Sequence, residues 1–296
     1  MARHESRTDE RQDARRSKPE DVSRDAADER AAYAPSPHLR LPETVRREPV
    51  VHRGHEYRLN GEEARVLATV GAFRVIPAAD LDEGRSHGDT WSGSIRSLAD
   101  QDLVERRLVV INEQATPVVV LTREGKSLLE AQQDTGRDGV RQQYHAGLVK
   151  PRELAHDSQL FRLYQQAAAR LEAEGHRVER VVLDYELKRD YQKFLTRPDR
   201  SPEAETDMRA FAEARQLPIV DGHLELPDLR IEYETPDGQI ENRDFELVTE
   251  HYSRGQLAGK AKAGFSVYRA TGTRVGGGST RTGGTPRDPH HLEWIQ

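Results

Sequence analysis

The chain has no cysteine among its 296 residues, which excludes disulfides, thiolate metal sites and thiol nucleophiles. A reducing cytoplasm is the simplest home for such a chain. Long apolar runs are also missing. No stretch approaches the roughly 20 residues that cross a bilayer, and the N-terminus has no signal core, so a soluble cytoplasmic protein without a membrane partner is expected. An excess of positive charge is lacking too: the formal net charge is -6, which argues against a nonspecific nucleic-acid coat and confines any DNA contact to a local face. Apolar residues make up 35% against 32% charged, so part of the chain is expected to stay unpacked.

What is present divides the chain. Residues 1–50 mix Arg, Asp, Glu, Ser and Ala without apolar period and are expected to form a disordered tail of nearly balanced charge, a solubilising or tethering arm. Residues 51–131 hold the first folded unit. Asn60 before Gly-Glu-Glu is an N-cap with acids in the first turn, and Ala64, Leu67, Ala68 and Val70 to Phe73 carry the helix. Pro77 opens a short second helix, and Thr90 to Gln101 forms a third with Trp91, Ile95, Leu98 and Ala99 as its inner face. A β-run to Ile111, a turn from Asn112 to Pro117, a second β-run Val118 to Leu121 and a helix from Thr122 follow. Residues 132–155 are expected as a linker, residues 156–270 as a second domain and residues 271–296, rich in Gly, Thr and Arg, as a flexible tail.

The second domain centres on residues 217–268. Leu229, Ile231 and Tyr233 alternate, which sets Asp228, Arg230 and Glu232 on the opposite strand face. Thr235-Pro236-Asp237-Gly238 predicts a hairpin turn, because Pro presets φ and Gly accepts a positive one. In the return strand Phe245 and Leu247 point one way and Asp244, Glu246 and Val248 the other. If these strands pair, Asp228 and Glu246 share one surface, where two carboxylates call for a metal, a shared proton or a nearby cation. Residues 256–268 are expected to be helical, with Leu257, Ala261, Gly264, Phe265 and Tyr268 inward and Lys260 bordering that stripe. Lys260 is then able to reach the carboxylates, or serves as a flanking lysine. Glu186 and Lys188 form another acid-x-Lys, whose plainer reading is a solvated helix start.

Two resemblances gather these features. The three short helices and the hairpin, with the phrases DLVERR and VVVLTREGKSLL, resemble the winged helix-turn-helix family over residues 58–131. That likeness implies a DNA-binding module whose third helix enters the major groove, with Ser92, Ser94 and Arg96 on its exposed side and Arg106, Arg107 and Arg123 near the wing. Winged helices also serve as dimerisation or protein-docking modules, so docking stands beside DNA binding. The order Pro227-Asp228, hairpin, Glu246-Leu247-Val248, then a helix with Lys260, resembles the PD-(D/E)xK nuclease-like fold. That likeness implies Asp228 and Glu246 as metal-holding acids, Mg²⁺ as cofactor if the site is active, and a lysine at position 248. Position 248 is Val, so Lys260 is the substitute cation. An added glutamate of such folds matches Glu172 or Glu174.

Together with Leu154-Ala155-His156-Asp157 at the head of a helix, this order resembles the plasmid replication-relaxation family. The fold expected is α/β (α+β overall), a winged helix followed by a restriction-endonuclease-like mixed-sheet domain. The implied function is double-stranded DNA binding in replication or mobilisation of a plasmid or other mobile element. A noncatalytic regulator with homodimer contacts and a protein-docking adaptor stand as alternatives.

Overall fold

In the computed structural model the described residues are 33–34, 38–82, 91–134, 141–199, 203–248, 254–270 and 292–295. The first hairpin pairs β1 (Glu48–His52) with β2 (His55–Leu59). Asn60 then caps α1 (Gly61–Ala72) with a reciprocal capping box: its Oδ1 accepts from the Glu63 N–H at 2.8 Å, and Glu63 accepts from the Asn60 N–H at 3.0 Å. Next come β3 (Ile76–Pro77), α2 (Ala78–Asp82), α3 (Trp91–Asp100), β4 (Val104–Ile111), β5 (Gln114–Leu121) and α4 (Arg123–Gln132). The small sheet runs β3-β5-β4.

The turn between β4 and β5 is tighter than the sequence suggests. Asn112 and Glu113 take φ of 48° and 66°, the left-handed pair that matches strand twist in a two-residue hairpin. Pro117 consequently lies inside β5, opposite Leu108. It is tolerated because β3 reaches only Val118 and Val119, so on that side the missing N–H has no strand to lose. Gly125 lets α4 start against the sheet, since a Cβ there would stand 2.1 Å from the Leu103 carbonyl oxygen.

In the C-terminal half α5 (Pro151–Ala173) starts with proline at its first turn, where no N–H is needed. After it come β6 (Arg177–Leu183), α6 (Asp184–Leu195), α7 (Ala204–Ala214), the short pair β7 (Ile219–Val220) and β8 (His223–Leu224), then β9 (Leu229–Glu234) and β10 (Ile240–Val248). The chain continues through α8 (Arg254–Lys262) and β11 (Ser266–Ala270), with β12 (Leu292–Ile295) last. The five strands of the main sheet order β12-β11-β10-β9-β6, with β10 and β11 parallel across α8 and the other pairs antiparallel. The Pro236-Asp237-Gly238 turn behaves as its chemistry requires: Gly238 has φ of 78° and its N–H donates to Thr235 O at 2.8 Å.

Leu160, Phe161, Tyr164, Ala168 and Leu171 of α5 bury themselves on the sheet face made by Val181, Leu229, Ile231, Phe245, Leu247 and Tyr268. Val182, Leu187, Phe211 and Leu217 close the other face. The chain is thus a mixed α/β protein, and its two halves share one core. Phe73, at the end of α1, has its ring centroid 5.2 Å from those of both Phe161 and Tyr164. Buried Asp80 of α2 pairs with Arg162 of α5 at 2.6 Å.

Several expectations change at this level. The stretch expected as a linker packs instead: Gln142, Tyr144 and Val149 are buried, and α5 begins at Pro151 rather than near His156. The Gln142 amide accepts from Val181 N–H at 3.0 Å and donates to Val181 O at 2.9 Å, covering the open edge of β6. The expected N-terminal tail is ordered in part. Tyr33, Ala34 and Leu41 are buried, Tyr164 OH donates to Tyr33 O at 2.6 Å, and β1 starts at Glu48. At the other end, residues 292–295 add a strand to the sheet; residues 271–291 and 1–32 lie outside the described residues. The helix expected through Tyr268 stops at Lys262, because Gly264 turns left-handed at φ of 80° and Ser266 to Ala270 then run as strand.

Candidate functional site

Asp228 stands one residue ahead of β9. The recorded register ends with Phe245 opposite Leu229 and Asp244 opposite Arg230, so Asp228 and Glu246 lie just past its last pair. The pairing on that face is real one rung along, where Arg230 grips Asp244 at 2.6 and 2.8 Å and gives its remaining N–H groups to Arg215 O and Gln216 O. Val248, at the position where the nuclease-like pattern carries lysine, is fully buried.

Lys260 supplies a cation from α8. Its Nζ lies 3.2 Å from Glu246 Oε1 and 3.1 Å from Glu225 Oε2, and donates to Leu226 O at 2.9 Å. Burial pulls its pKa down, but the charges and hydrogen bonds of Glu246 and Glu225 outweigh that and raise it, so the lysine stays an ammonium. Glu246 is 1% exposed, and a carboxylate so deeply buried needs that partner.

Asp228 is met from the other side. Its Oδ2 accepts from the Leu247 N–H at 2.9 Å, and its Oδ1 lies 3.2 Å from His156 Nε2. His156 Nδ1 lies 3.1 Å from Asp157 Oδ1. A carboxylate only accepts, so an imidazole flanked by two of them carries a proton on each nitrogen and is a cation. Burial opposes that charge, and the bonds to Asp157 and Asp228 override it, taking the His156 pKa up to about 10. The chain of contacts continues into the N-terminal half: Arg74 approaches Asp157 Oδ2 at 2.9 Å and Glu153 Oε2 at 2.7 Å, with its guanidinium 4.7 Å from the Tyr185 ring centroid.

Mg²⁺, implied by the nuclease-like resemblance, takes about six oxygen ligands at fixed angles. Both oxygens of Asp228 and Oε1 of Glu246 already face protein donors. Among the described residues no three His, Asp or Glu side chains gather as a metal site. As arranged, the carboxylates do not fit a divalent ion, and no chemical step is derived through one.

The remaining acids fall elsewhere. Glu186 is buried rather than solvated: its Oε2 is 3.4 Å from Arg180, its Oε1 accepts from the Leu183 N–H at 3.5 Å, and burial raises its pKa to about 7. Lys188 turns away to Asp184 at 2.5 Å. Glu172 and Glu174 lie at the far end of α5, about 25 Å of helix axis from His156 at 1.5 Å per residue. Glu174 pairs there with Arg243 at 3.0 Å, remote from Asp228.

On the proposed reading surface, Arg96 is exposed on α3, Arg106 on β4 and Arg123 at the start of α4, each without an acidic partner among the described residues. Arg107 is held by Glu105 at 2.8 Å. Ser94, expected outward, is buried: it faces α1 and donates to Glu62 at 3.1 Å. The Ser92 side chain lies outside the described residues. No motif in the sequence assigns a role to Arg74 or Glu225, and His156 and Asp157 stand there only as the head of a helix. A single charge between apolar neighbours, as in Phe73-Arg74-Val75, is the signal that marks Arg74 as a buried pairing residue. Compared with known proteins, the chain matches no family model, no curated protein and no solved structure.

Proposed function

We propose that the chain binds double-stranded DNA through its N-terminal half, acting in replication or mobilisation of a plasmid or other mobile element, with its C-terminal sheet as a nuclease-like scaffold. The observation that carries this reading is the exposed Arg96 on α3, in no ion pair among the described residues and followed by the β4–β5 hairpin. A guanidinium so placed suits the O6 and N7 edge of guanine. The internal cations Lys260 and His156 support a scaffold role for Asp228 and Glu246 over metal-dependent cutting, because removing either carboxylate from its partner is costly.

Fluorescence anisotropy with labelled duplex DNA, together with a plasmid-nicking assay in Mg²⁺ or Mn²⁺, tests both halves. Salt-dependent binding without nicking is expected. Absence of binding removes the DNA reading, and nicking lost in Asp228→Ala removes the scaffold reading. The exposed Leu108 and Val110 on the edge strand β4 favour a second reading, a partner protein or a second copy docked at that edge. Sedimentation of the full chain separates it: a monomer at micromolar concentration leaves the homodimer without support.

A further inference from the structure

The hairpin ahead of α1 is fixed to α3. Gln101, just past α3, accepts from the Arg58 N–H at 2.7 Å and donates to Arg58 O at 3.2 Å, so β2 is held in register with the helix. Between hairpin and helix runs a groove of about 620 Å³, with Glu56 and Arg58 on one wall and Gly93, Arg96 and Ser97 on the other. Glycine at 93 leaves the helix wall without a side chain at that point.

The groove's cations are unequally committed. Arg47, at its side, holds buried Glu63 at 2.6 Å and serves as wall. Among the described residues Arg58 has only the exposed Glu56, at 3.6 Å, and such a pair in water is worth little. Arg96 forms no ion pair among the described residues, although Glu56 and Asp100 line the same groove. The hairpin turn, Arg53-Gly54 with φ of 49° and 82°, carries one more arginine to the tip. Asp100 closes the groove toward the C-terminal end of α3, where phosphate is also disfavoured by the helix dipole.

The β4–β5 hairpin is poorly furnished by comparison. It exposes Leu108 and Val110, turns on Glu113 and ties Arg107 to Glu105, which leaves Arg106 as its one uncommitted arginine among the described residues. We propose that one phosphodiester strand of duplex DNA seats in the groove between β1–β2 and α3, with Arg58 and Arg53 taking phosphates while Arg96 faces the bases. This rests on the DNA-binding reading and adds the contact element that reading lacks.

The test is anisotropy of a labelled random-sequence duplex against the full chain over a salt series. Arg58→Gln, and Arg53→Gln with it, are expected to weaken binding about threefold to tenfold each and to lower the slope of log K against log salt by about 0.9 per arginine. Arg58 meets Gln101 through its backbone, so the substitution leaves the clamp in place. Glu56→Gln, which removes one of the two acids lining the groove and the partner of Arg58, is expected to tighten binding severalfold, a gain that misfolding does not produce. Lys188→Gln, on the exposed side of α6, leaves affinity and slope unchanged. Wild-type affinity and slope in both arginine variants and in Glu56→Gln, with Arg96→Gln still weakened, overturns the groove while the DNA reading stands. No binding by the wild type overturns both.

Discussion

His156 stands between Asp157 and Asp228, one ring nitrogen toward each, at 3.1 and 3.2 Å. This single imidazolium ties the first turns of α5 to the residue just before β9, and through Asp157 and Arg74 it ties both to the N-terminal half. The carboxylate that the nuclease-like resemblance offers to a metal is thereby neutralised from within.

Calorimetric titration of the wild type with Mn²⁺ is expected to show no binding tighter than about 1 mM, the weak end of biological cation sites. A micromolar site abolished by Asp228→Ala would instead assign the two acids to a metal.

Lys260→Met leaves Glu246 buried beside Glu225 with no ammonium between them. The expected loss is about 3–5 kcal/mol in urea unfolding, as for other buried pairs broken on one side. Adding Glu246→Gln should restore much of it. A loss below about 1 kcal/mol would show that the pair is solvated and the lysine is only a flank residue.

Glu186 gives a pH signature of uncommon sign. Its folded pKa is raised by burial from 4.5 to about 7, so between those values the folded chain keeps a proton that the unfolded chain has released. Its contribution is full below pH 4.5 and is lost as pH rises to about 7, on the order of 3 kcal/mol in all. Glu186→Gln should lack that part of the decline. The stability difference between wild type and variant, measured at pH 5 and pH 8, checks it; a constant difference refutes it.

Gly125→Ala tests the close seating of α4 on Leu103. The added methyl has no room against a backbone oxygen at 2.1 Å, so a loss of about 1–3 kcal/mol or more is expected in thermal unfolding.

Two residues two positions apart on α3, and so on opposite sides of the helix, should separate cleanly in DNA binding. Arg96→Ala is expected to cost about 1–3 kcal/mol of affinity, while Ser94→Ala, which faces Glu62 inside, leaves affinity unchanged and costs only stability. Equal effects in an anisotropy titration would show that α3 meets DNA by a different face.

The sequence alone determined what is local. Alternation in Leu229, Ile231 and Tyr233, with Pro236-Asp237-Gly238 between the runs, sufficed to predict the β9–β10 hairpin that pairs Leu229 with Phe245 and Arg230 with Asp244, because strand period and turn chemistry fix a hairpin's register within a few residues. Asn60 and Glu63 likewise announced the start of α1, and the border position of Lys260 announced its reach. Tertiary packing decided the rest. Ser94 turned inward, Glu186 was buried, and His156 and Arg74 came to Asp228 and Asp157 from distant elements, because such partners are chosen by how α5 packs on the sheet. No spacing or periodicity encodes a contact across that separation; only the shared core that holds Phe73 against Phe161 brings those charges together.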